Sequence, residues 1–109
     1  MKNMVEYLNS KNIICKRLKE VLPKALGSRK RVAIFVGVNL KGYYCSIITI
    51  KKRSRILKKE VLEIMLLHEK LEIYADTKIK KRYIYIDAPL CKEAKALFVN
   101  NGWIVWDKA

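Results

Sequence analysis

The chain has 109 residues, the length of one domain, with 51% hydrophobic and 31% charged residues, a balance that excludes disorder and demands a packed core. Lysine and arginine number 24 against 10 acids, a formal net charge of +14. That excess excludes an acidic binding surface and makes a polyanion the first partner to consider.

Residues 1–28 read as an N-terminal helical segment, joined to an α/β core over residues 29–109 within one structural domain. Leu18, Val21 and Leu22 recur at helical spacing, with Lys16, Arg17, Lys19 and Glu20 turned elsewhere, and Pro23 ends the segment. The run Lys24-Ala25-Leu26-Gly27-Ser28-Arg29-Lys30-Arg31 marks the change in composition. Residues 32–38 are rich in β-branched side chains and too short for a helix, so a strand is expected. Asn39-Leu40-Lys41-Gly42 supplies turn chemistry, and residues 43–50 return as the second strand of a hairpin.

After a basic run the spacing predicts a helix over 58–74. Its apolar face carries Val61, Ile64, Met65, His68 and Leu71, and Leu62 and Leu66 widen that face toward full burial. Residues 83–86 alternate as a strand. Asp87-Ala88-Pro89-Leu90 turns the chain, with Pro89 suited to the first position of a helix striped by Ala94, Leu97 and Phe98. Asn101-Gly102 closes that helix, and residues 103–106 form a last strand. A strand, helix and strand in this order pair their strands in parallel. The expected fold is a single α/β domain: an N-terminal helix, a β-hairpin, a helix and a β-α-β unit, giving a mixed sheet flanked by helices.

This order of elements resembles the core of the restriction-endonuclease-like nucleases over about residues 32–107. The matching text is Tyr83-Ile84-Tyr85-Ile86-Asp87-Ala88-Pro89-Leu90-Cys91-Lys92-Glu93-Ala94-Lys95, then Asn101-Gly102-Trp103-Ile104-Val105. The resemblance implies an acidic residue on the first hairpin strand and an E-x-K motif on the second, where carboxylates hold Mg²⁺ and the lysine helps activate water. Superposing the elements puts Ile34, Ile47 and Thr49 at those places, and residues 29–60 contain Glu60 as their only acid. A working nuclease would then need migrated ligands, from Glu20 with Glu60 or Asp87. No catalytic residue is assigned.

Cys15, Cys45 and Cys91 form no disulfide framework, and with the single histidine they give no paired zinc spacing. His68 reads as a satisfied core residue and Cys91 as a small, half-buried one. No apolar run approaches the roughly 18 residues of a membrane span, and the N-terminus lacks an apolar signal core. The expectation is a cytoplasmic protein without metal, cofactor or membrane contact.

Charge is the strongest feature. Lys51, Lys52, Arg53, Arg55, Lys58 and Lys59 lie within one short stretch, Arg29, Lys30 and Arg31 within another, and Lys78, Lys80, Lys81 and Arg82 within a third. Such clusters neutralise phosphates and release counterions. The leading expectation is a non-catalytic protein that grips the nucleic-acid backbone with little sequence preference. Two readings stand beside it. One is a protein-interaction subunit using the sheet edge and its Tyr and Trp residues, or its charge toward an acidic protein; the other is a diverged metal-dependent nuclease. Trp103 and Trp106, three apart on a strand, point to opposite faces, which favours a homodimer over a monomer.

Overall fold

The computed structural model describes residues 15–28, 31–39 and 41–107. Five strands form one sheet in the order β1-β2-β3-β4-β5: β1 (Cys15–Val21), β2 (Val32–Asn39), β3 (Tyr44–Lys51), β4 (Lys81–Asp87) and β5 (Trp103–Asp107). The pairs β1–β2 and β2–β3 are antiparallel, and β3–β4 and β4–β5 are parallel. Helix α1 (Lys58–Ala75) connects β3 to β4, and α2 (Lys92–Asn100) connects β4 to β5.

The hairpin forms where the sequence places it. Asn39 accepts hydrogen bonds from the backbone N–H of Lys41 and of Tyr43 through its side-chain oxygen, at 3.0 and 2.9 Å. Gly42 takes a φ of 84°, which a side chain would strain. Gly102, also at φ 84°, ends α2 as expected and releases the chain into β5.

Both helices pack on the face built by Ile34, Ile48, Ile50, Ile84, Ile86 and Trp103. Val61, Ile64, Leu67 and Leu71 descend from α1, and Ala94 and Phe98 from α2. Phe98 meets the Trp103 ring edge-on at 5.5 Å. The opposite face holds a smaller cluster of Cys45, Ile47 and Tyr83, with Leu18, Phe35 and Trp106 against it.

Three expectations need correction, and one placement needs to be added. The expected N-terminal helix is strand β1 over the described part of that segment, followed by a 3-10 turn at Pro23–Leu26; residues 1–14 lie outside the described residues. Pairing with β2 overrides the helical spacing, and an irregularity between Lys16 and Lys19, where Arg17 takes a φ of 55°, hides the period of two. As a result Leu18 and Val21 serve opposite faces of the sheet, whereas a helix would put them on one. On α1, Leu62 and Leu66 are 54% and 59% exposed, and Leu67 takes the buried place. Pro89 does not open α2, which begins at Lys92 after Cys91 at its N-cap. An isolated parallel bridge between Ile56 and Leu90 carries the β3–β4 pairing past the strand ends and keeps that stretch extended. Finally, Ile34 lies on the helix-covered face while Ile47 belongs to the other, so the residues superposed on the nuclease motif do not share a surface.

Candidate nucleic-acid interface

Parallel strands β3 and β4 end on the same side of the sheet, the side where open α/β sheets bind ligands. Lys51 stands opposite Asp87 in the strand register there, and the chain leaves β3 into the basic loop 52–57. Backbone bonds fix this loop: Lys52 N–H to the Asp87 carbonyl at 3.2 Å, Ile56 N–H to the Pro89 carbonyl at 2.9 Å, and Cys91 N–H to the Ile56 carbonyl at 3.4 Å. Ile56 is fully buried beneath it. The loop is therefore a rigid support, and Arg53 and Arg55 stand exposed upon it. Because β2 is antiparallel to β3, with Val32 opposite Ile50, Arg31 enters the sheet beside Lys51.

Arg31, Lys51, Arg53 and Arg55 thus converge on one end of the sheet, exposed and without an ion-pair partner among the described residues. Arg29 and Lys30 lie outside the described residues. The other cations of this region are diverted. Lys52 donates two hydrogen bonds to Glu60, at 2.5 and 3.1 Å, and Lys58 pairs with Glu93 at 3.4 Å. Lys59 is exposed on α1 two residues before the buried Val61, a helical offset that turns it to the outer side with Leu62 and Leu66.

The third cluster is elsewhere. Lys81 is paired with Cys45 at the far end of β3, six residues from Lys51 and so about 20 Å away at the rise of a strand. Lys78, Lys80 and Lys81 are exposed there, with the Lys80 ammonium 4.5 Å from the centre of the Tyr43 ring. Arg82 leaves the group altogether. It lies on the helix-covered face opposite Ser46 and Trp103, where its Nε is buried with no hydrogen-bond partner.

Beneath α1 is a polar pair that sequence reasoning did not foresee. The Ser46 hydroxyl and His68 Nε2 lie 3.0 Å apart, both residues buried. His68 Nδ1 lies 3.9 Å from a Glu72 oxygen, and the other Glu72 oxygen accepts the Ile79 N–H at 2.8 Å. The Trp103 ring stands edge-on to the imidazole at 5.0 Å. Burial lowers the His68 pKa from 6.5 to about 4; Glu72 opposes that shift and Arg82 adds to it. Serine, histidine and carboxylate occur in the order of a nucleophilic triad, but Ser46 has no solvent exposure, so the pair ties α1 to β3. The satisfied core histidine expected from sequence is what the structure contains.

The nuclease positions fit a metal poorly. Ile47 and Thr49 share a face of β3, opposite Phe35 and Ala33 of β2, and the four bring no carboxylate to a hard cation. Glu60 is engaged by Lys52. Among the described residues no three His, Cys, Asp or Glu side chains gather as metal ligands, and no helix is long and apolar enough to cross a membrane. Trp103 is buried and Trp106 stacks on Tyr83 at 5.1 Å, so the indoles serve packing within the chain.

No family model matches the sequence, and no curated protein matches it. Solved structures do. EndoMS in its apo form superposes with a TM-score of 0.58 at 18% identity, over 95% of this chain and 44% of that one. EndoMS in a dsDNA complex gives 0.52 at 14% identity, over 95% and 42%. A repair endonuclease from Pyrococcus abyssi gives 0.52 at 12% identity, over 98% and 47%. The chain spans less than half the length of these proteins. At such identities the likeness shows architecture alone, and it shows it clearly: this chain has a restriction-endonuclease-like fold.

Proposed function

We propose that the chain is a DNA-binding domain of nuclease fold that grips the phosphate backbone without cutting it. One observation carries the reading: Arg31, Lys51, Arg53 and Arg55 are exposed at one end of the sheet, the last two on a loop tied by backbone bonds to the segment that follows β4. Three of the four are arginines, whose planar fork matches a phosphate. The choice of DNA is supported by the structural neighbours, of which one is named a repair endonuclease and another is held in a dsDNA complex. The apolar residues at the motif positions support binding without hydrolysis.

The test is binding to labelled duplex across a salt series. Replacing Lys51, Arg53 and Arg55 by Ala should weaken binding to every sequence alike and reduce the slope of log affinity against log salt by about 2.7, at about 0.9 per lost phosphate contact. The same number of alanines at Lys78, Lys80 and Lys81 should leave most of the slope in place. An unchanged slope after the first triple substitution refutes the interface.

A second reading is favoured by one feature: Asp87 and Glu60 flank the same loop as Lys51 and Lys52. Migrated carboxylates there would make a metal-dependent nuclease. Cleavage of DNA with Mg²⁺ or Mn²⁺, lost in Asp87→Asn or Glu60→Gln, would establish it over the first.

A further inference from the structure

Helix α1 buries Val61, Ile64, Leu67, His68 and Leu71 against the sheet, yet its outer side is not polar. Leu62, Leu66 and Ile73 are 54%, 59% and 80% exposed, and Tyr74 beside them is 56% exposed. On α1 the positions 59, 62, 66, 69 and 73 step by three, four, three and four, the spacing of a coiled-coil seam, and Asp76, the left-handed C-cap, follows at the helix end. They carry Lys59, Leu62, Leu66, Glu69 and Ile73, all exposed, as is Asp76. A solvated helix face has no use for three large aliphatic residues in such a row, and a contiguous patch of this kind marks a docking surface.

We infer that this seam pairs with the same seam of a second copy of the chain, the two α1 helices running antiparallel about a two-fold axis. The charges choose both the occupant and the direction. In an antiparallel pair centred between positions 67 and 68, Lys59 lies opposite Asp76 of the second copy, Leu62 opposite its Ile73, and Leu66 opposite its Glu69. Each apolar contact is made twice, and so is each ion pair, as two-fold symmetry requires. Glu63 and Lys70, flanking the seam, also come to face each other across it. A parallel pair would instead stack Lys59 on Lys59, Glu69 on Glu69 and Asp76 on Asp76. Neither Lys59 nor Asp76 has an ion-pair partner among the described residues, so both are available. The pairing has a consequence for the surface charge. It brings the 51–55 loop of one copy to the same end of the helix pair as residues 78–81 of the other, joining basic groups that a single chain keeps about 20 Å apart. The inference does not depend on DNA binding, and it is tested without nucleic acid.

Sedimentation equilibrium of the purified chain should show a reversible monomer–dimer exchange within the micromolar range, at a salt concentration that screens repulsion between the two basic chains. Leu62→Glu and Leu66→Glu should each raise the dimer dissociation constant about tenfold or more. Their far-UV circular dichroism and melting temperature should change little, because both side chains are already exposed in the single chain. Lys59→Glu and Asp76→Lys should each weaken the dimer a few-fold, and the two together should restore it. A single monomeric species up to hundreds of micromolar overturns the inference. So does dimerisation that both leucine variants leave intact. A double charge variant weaker than either single one overturns the antiparallel arrangement.

Discussion

The buried histidine makes the stability of this fold depend on pH in a defined window. In the unfolded chain His68 takes up a proton as pH falls through about 6.5, whereas in the folded chain burial delays protonation to about 4. Above the higher value the ring is neutral in both states and folding bears no penalty. Between the two values the unfolded state alone is protonated, so stability falls as pH falls; below the lower value the loss levels off. The gap corresponds to about 3 kcal/mol in full, most of it lost between about pH 8 and about pH 4.5. Against a total stability of about 5–15 kcal/mol this is a large fraction. Urea unfolding across that range should be compared with a His68→Gln variant, whose amide can still meet Ser46 but cannot titrate. The advantage of the wild type over the variant should shrink by about 2–3 kcal/mol from the upper to the lower pH. Acidic groups elsewhere titrate equally in both proteins and cancel. Parallel pH profiles for the two would refute the reasoning, since they would mean that His68 is protonated in the folded state at its ordinary pH.

Other expectations follow from individual contacts. Phe98→Ala removes a fully buried ring that packs on Trp103 and should cost about 3–5 kcal/mol in chemical denaturation. Asn39→Ala removes both side-chain bonds of the hairpin turn and should cost about 1 kcal/mol, less than the core change because the turn is exposed. At Gly102 an added Cβ would find only the Arg82 guanidinium at 3.6 Å, an ordinary contact, so Gly102→Ala should cost about 1 kcal/mol through its positive φ alone. A much larger loss in that melt would mean that β5 is displaced.

Much of the architecture was legible because local chemistry and global fold agree. Asn39 and Gly42 fix a turn between two strongly β-forming runs, and Asn101 with Gly102 stops α2 before a strand. Those signals lie in neighbouring residues. The failures arose where distant parts of the chain decide. Strand β1 depends on the open edge of β2, and the irregularity at Arg17 breaks the alternation that would have revealed it. Helix α1 carries leucines on more than one side, so spacing alone could not tell whether Leu62 and Leu66 or Leu67 faced the sheet; the position of His68 over Ser46 settles it. Of the basic groups, sequence located the loop after β3 but not the diversion of Lys52 to Glu60 or of Arg82 inward. An ion pair eight residues apart and an arginine whose Nε is buried follow from packing, which a list of charges does not contain.

Along β3 the labour is divided between an apolar strand centre and a charged strand end. Ile47 is fully buried with Cys45 and Tyr83, and Phe35 packs against the group. A carboxylate in that place would be stripped of water, a large cost unless a cation or donor accompanied it. The middle of the strand therefore contributes cohesion. Four residues further on, the same strand reaches Lys51 at the sheet end, where long side chains keep their charge in solvent at no such cost. Parallel pairing with β4 brings a second strand end and its following segment to that place, and the bonds from 87–91 to the loop give exposed arginines a fixed base. An apolar strand centre and a charged, anchored strand end are thus two outcomes of one topology. Phosphate recognition needs only the second of them.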